Sequence, residues 1–87
     1  MNELNHNMIM DVFYSAMWEY NFNVHLNTTD ESLARRRRYI NGLSTMAETF
    51  GIRVITTYEN AFINSPITDI IVNGESVTKW KIGIEKG

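Results

Sequence analysis

The chain has 87 residues, of which 44% are apolar and 21% charged, with a net charge of −2 and no cysteine. That length suits one compact domain, 1–87, and leaves no room for two. The apolar and aromatic content excludes a disordered chain, and the lack of cysteine excludes disulfides or thiolate zinc ligands as reinforcement of a modest core.

The first predicted element is a helix from Asn2 to Tyr20. At about 100° per residue, Asn7, Asp11, Ser15 and Glu19 form a polar stripe. Ile9, Val12, Phe13, Ala16, Met17 and Tyr20 lie opposite, widened by Met10 and Tyr14, while Leu4, Trp18 and Phe22 fall on the polar side. This is more apolar surface than the single stripe of a surface helix. Asn21 to Asn27 then alternates, with Phe22, Val24 and Leu26 on one side, which predicts a short strand.

A second helix is predicted from Thr29 to Phe50. Thr28-Thr29-Asp30-Glu31 fits a capping box, and Gly51 suits the left-handed residue after the last turn. Leu33, Ile40, Leu43, Met46, Ala47 and Phe50 form its apolar stripe. Gly42 lies opposite, so the helix is expected to run unbroken. The rest reads as β: a strand at 52–58, a loop, and a hairpin of strands 67–72 and 75–84 around Asn73-Gly74, the sequence of a type I′ turn. The hairpin face with Ile67, Ile71, Trp80, Ile82 and Ile84 is expected to meet the helices. The sum is an α+β fold, α-β-α-β-β-β, with two helices on one face of a mostly antiparallel sheet.

Charge is unevenly placed. Residues 1–34 hold five acidic and no basic side chains, and 35–38 are four consecutive arginines, half of the eight Lys and Arg. Such asymmetry bears on partners rather than on fold. On a helix, consecutive residues point about 100° apart, so the four cannot share a patch. Arg35 and Arg38 take the solvent side with Glu31, an i,i+4 partner for Arg35. Arg37 sits at the stripe's edge, and Arg36 points into the apolar arc, snorkelling or pairing with a carboxylate.

Motifs of catalysis are missing. The histidines, His6 and His25, have no companion cysteine or fixed carboxylate spacing, so no metal is expected. His25 near Asp30 or Glu31 could act as a base, but nothing sets a nucleophile beside it. None of the serines lies in a nucleophile elbow, and the glycines form no phosphate loop. No cofactor and no enzyme activity are expected. The N-terminus lacks a basic and then apolar leader, and no apolar run nears the ~18 residues needed to span a bilayer. A cytoplasmic chain that does not enter membranes is expected.

Interface chemistry is better represented. Arginine, methionine and large aromatics are enriched where proteins meet. Arg35, Arg37 and Arg38, with Tyr14 and Trp18 as apolar anchors, are the candidate contacts to a larger protein, and the surplus apolar surface of the first helix suggests a homodimer. The same arginines with Lys79 and Lys81 could instead meet phosphates of a nucleic acid, or a small anion at a dimer interface. The ten asparagines, five methionines and motif-free format are similar in composition to small accessory proteins of phages and mobile elements. That resemblance implies stoichiometric action: covering, and so inhibiting or modulating, a host protein or defence complex.

Overall fold

The structure, a computed structural model, describes residues 3–87, with side chains from Asn5 onward. The expected helix start at Asn2 and the side chain of Leu4 lie outside the described residues. The elements are α1 (Glu3–His25), α2 (Asp30–Thr49), β1 (Val54–Tyr58), β2 (Ile67–Val72), β3 (Glu75–Ser76) and α3 (Val77–Lys86). The α+β class holds, but the order is α-α-β-β-β-α.

Two expected strands are helix. The alternating segment after Tyr20 continues α1 to His25, because Asn27 supplies the left-handed end at φ +56°. The Asn27 N–H donates to the Val24 carbonyl at 3.1 Å and the Thr28 N–H to that of Asn23 at 3.2 Å, a Schellman closure. A period of two over three apolar residues is too short to exclude a helix, and helical geometry frees Asn21 for another task. Its side-chain amide donates to the Ile67 carbonyl at 2.9 Å and accepts from the Ile67 N–H at 2.8 Å, standing in for a strand partner at the start of β2.

α2 runs unbroken through Gly42. Its cap is one residue later than the expected box: Thr29 Oγ1 accepts from the Ser32 N–H at 3.2 Å, while the Thr28 hydroxyl donates to the Asn23 carbonyl. Gly51 closes the far end at φ +80°, with Gly51 and Ile52 donating to Glu48 and Ala47 at 2.9 Å each.

The Asn73-Gly74 turn is present, with both φ angles positive and Val72 opposite Glu75. Its second strand is only Glu75–Ser76, so Ile70–Val77 and Ile67–Trp80 do not pair across it. Ser76 Oγ accepts from the Lys79 N–H at 3.1 Å and starts α3. Asp69 of β2 strengthens that start by accepting from the Ser76 hydroxyl and from the Thr78 hydroxyl at 3.0 Å. A capped start and a carboxylate on the neighbouring strand outweigh the β propensity of Val77 to Ile82.

The sheet order is β1-β2-β3, all antiparallel, with a bulge at Thr57/Tyr58. The expected core face of the hairpin is found only in part: Ile67 is buried and Trp80 packs on the core. Ile70, Val72 and Val77 are buried with Ile67, whereas Ile82 and Ile84 are exposed, because α3 leaves the sheet before they could join it. The core joins Met10, Phe13, Ala16, Met17 and Tyr20 of α1 to Leu33 and Ile40 of α2, with Trp80 packed against it from α3. Each large apolar side chain so buried contributes roughly 1.5–3 kcal/mol. Three expected core residues are exposed instead: Val12, Met46 and Phe50. With only a small sheet beneath, one stripe per helix fills the interior. The molecule is a slab 18 Å in its thinnest dimension, so the side of α1 and α2 turned from the sheet has no layer over it.

Candidate functional site

The four arginines divide into two inward and two outward. Arg37 is consumed within the chain. Its Nε donates to the Tyr20 hydroxyl at 2.9 Å and its Nη2 to the Phe62 carbonyl at 2.8 Å. Its guanidinium lies 4.1 Å from the centre of the Tyr58 ring. The Tyr20 hydroxyl, buried in the core, shares its own proton between the carbonyls of Ile63 at 3.0 Å and Ser65 at 2.8 Å. The β1–β2 loop is thereby tied to both helices. Burial pushes the Tyr58 hydroxyl's pKa up, and the Arg37 charge partly opposes this. Expected as a partner contact, Arg37 is a structural clasp.

Arg36 crosses to α1, donating to Glu19 Oε1 at 3.1 Å and, more weakly, to Asn23 Oδ1 at 3.4 Å. The expected carboxylate partner is thus found, although it is exposed rather than buried. Such a half-exposed pair is worth only about 0–1 kcal/mol. Arg35 and Arg38 face solvent, and among the described residues neither has a hydrogen bond or ion pair; Glu31 does not close on Arg35.

The Arg36 and Arg37 bonds set residues 35–38 of α2 beside residues 19–23 of α1, at the end of the layer nearest the 26–29 loop. There Trp18 and Phe22, one helical turn apart on α1, stack with ring centres 5.1 Å apart and planes within 8°. Both are exposed, Trp18 by 56%. Between the helices a hollow of about 390 Å³ is lined by Ala16, Glu19, Arg35, Arg36 and Tyr39, among others. The loop end thus presents a stacked aromatic pair, a shallow hollow and two uncommitted cations.

The other expected contacts lie elsewhere. Tyr14 is half-buried against the core, with the Lys81 ammonium 5.4 Å from its ring centre. Lys79 and Lys81 ride on α3, which packs on α1, β2 and β3 but not on α2. The structure therefore does not join them to the arginines in one basic field. His6 Nε2 lies 2.7 Å from Glu75 Oε1 at the surface, and His25 ends α1 in solvent without a bond to Asp30 or Glu31. Among the described residues no group of three or more His, Cys, Asp or Glu is placed to hold a metal, and no helix is long and apolar enough to cross a membrane.

Sequence reasoning missed Tyr20 as a hydrogen-bonding hub, and Asn21 and Asp69 as clamps. All three act on partners seven or more residues away, beyond the reach of local patterns. The stacking of Phe22 on Trp18 was legible in principle as an i,i+4 aromatic pair. Compared with protein-family models, with curated proteins and with solved structures, the chain matches none.

Proposed function

We propose that this protein is a non-enzymatic binding module that acts stoichiometrically, docking the loop end of its α1–α2 layer onto a larger protein and modulating it by covering its surface. The observation that carries this reading is the exposed Trp18–Phe22 stack at the same end of the layer as Arg35 and Arg38, two guanidiniums without a partner among the described residues. Trp and Arg dominate interface hot spots because they combine large area with directional hydrogen bonds. The chemistry of the fit is an apolar slot bordered by carboxylates: the slot takes the indole, and the carboxylates meet the arginines, in fork geometry where aligned.

The test is affinity capture with the full chain, Trp18→Ala, and the double variant Arg35→Glu/Arg38→Glu. The expected result is one protein species retained in a fixed ratio by the wild type and lost from both variants at unchanged secondary structure. Retention by both variants would remove this face from the proposal. If the retained species is nucleic acid, released by moderate salt, the arginines are phosphate contacts instead.

A further inference from the structure

The opposite end of the same helical layer carries a different surface. Met8 and Val12 follow one another by a turn on α1 and are 58% and 44% exposed. On α2, Met46 and Phe50 follow one another by a turn and are 59% and 77% exposed. Met8 and Phe50 border one hollow of about 510 Å³ with Ile9 and Ile52, so the two rows meet at this end of the layer. Glu48 is the only charged residue of α2 from Tyr39 onward, and it falls on nearly the opposite side of the helix from Met46. On α1 the exposed Asp11 borders the strip beside Val12, so the strip is apolar with a single charge at its edge, unlike the loop end.

Gly42 lies one turn before Met46 on the exposed side of α2. Glycine weakens a helix interior, so its presence needs a reason. A Cβ built there meets nothing within 4 Å, so packing within the chain supplies none. What glycine permits at an exposed helix position is the close approach of another backbone.

We propose that a second copy of this chain packs on this face, α1–α2 layer against α1–α2 layer around Gly42, as a two-fold dimer. The exposed parts of the four apolar side chains amount to on the order of 500 Å², at the upper end of what a monomer leaves uncovered. With the backbone and polar rim around them, that approaches the roughly 800 Å² per partner of a standard interface. The scarcity of charge favours self-association: homodimer interfaces are the more apolar and their cores are depleted of charge. The slab then gains the missing layer over its helices. This contact is separate from the Trp18–Arg35 end, so it stands or falls independently of the function proposed above.

Light scattering across a dilution series, with sedimentation as a second measure, tests it on the full chain. The wild type is expected at twice the 10.1 kDa chain mass when concentrated, falling toward 10.1 kDa on dilution. Met46→Glu puts a charge at an exposed position and is expected to weaken self-association at least a hundredfold. Gly42→Leu removes the point of closest approach while favouring the helix, so it is expected to weaken the dimer tenfold or more without lowering the melting temperature of the dilute chain. Arg35→Glu/Arg38→Glu is expected to leave the dimer intact. A wild type that stays at 10.1 kDa up to millimolar concentration overturns the proposal. So does a dimer whose strength is unchanged in both Met46→Glu and Gly42→Leu.

Discussion

The two ends of the α1–α2 layer are stabilised by different physics. At the loop end, hydrogen bonds and rings hold the helices to each other and to the β1–β2 loop, through Tyr20, Arg36 and Arg37. At the open end, around Met8, Met46 and Phe50, apolar side chains face water with little covering them. Directional bonds fix position at the cost of ordering each group. Apolar surface is indifferent to direction and remains available until something covers it. One end is therefore finished within the chain, apart from two arginines and an aromatic stack. The other keeps apolar side chains exposed to water.

The sharpest way to break this contrast is within the arginine run. Arg37→Ala removes two hydrogen bonds and a cation over a ring, and leaves the Phe62 carbonyl without that donor. It is expected to cost about 2–3 kcal/mol, read as a shift of the urea midpoint. Arg35→Ala and Arg38→Ala are expected to stay within about 0.5 kcal/mol of wild type, as unbonded surface residues do. Equal effects at all three positions would mean that the inward and outward arginines are not distinct. Next in size comes Asn21→Ala, which strips both backbone groups of Ile67 of their side-chain partner. A loss of about 1–2 kcal/mol is expected, with faster amide exchange at Ile67.

At the open end the sign reverses. Gly42→Ala adds a methyl group to open space on an exposed helix. In dilute solution it is expected to stabilise the chain by about 0.5–1 kcal/mol. Destabilisation would mean that the position is already crowded within the chain, and the argument from its glycine would fail.

Legibility in the sequence followed the range of the interactions. Elements set by neighbouring residues were readable: the Gly51 closure of α2, its continuity through Gly42, and the Asn73-Gly74 turn. The wheel also placed Arg35 and Arg38 on the solvent side correctly. What failed was decided at a distance. Trp80 to Ile84 alternates like a strand, but the Ser76 cap and the Asp69 carboxylate from β2 start a helix there. The inward turn of Arg37 depends on Tyr58 and Phe62, more than twenty residues away, and no local pattern encodes that meeting. Val12, Met46 and Phe50 were assigned to the core by periodicity, which says which side is apolar but not whether the interior has room for it.

The smallest expected effect tests the clasp electrostatically. Burial raises the Tyr58 pKa above its ordinary value, and the Arg37 charge lowers it by less. The folded chain therefore favours the neutral phenol. The stability linked to Tyr58 is fully present below about pH 10, the unfolded value, and is lost as pH rises through the folded one. Tyr58 can be isolated from the other tyrosines by subtracting the ultraviolet titration of Tyr58→Phe from that of wild type. Replacing Arg37 by Met keeps much of the cover over the ring and removes only the charge. The Tyr58 titration is then expected to move to still higher pH. A downward move would mean that Arg37 acts on this ring mainly by excluding water, and the clasp would then be a matter of packing more than of charge.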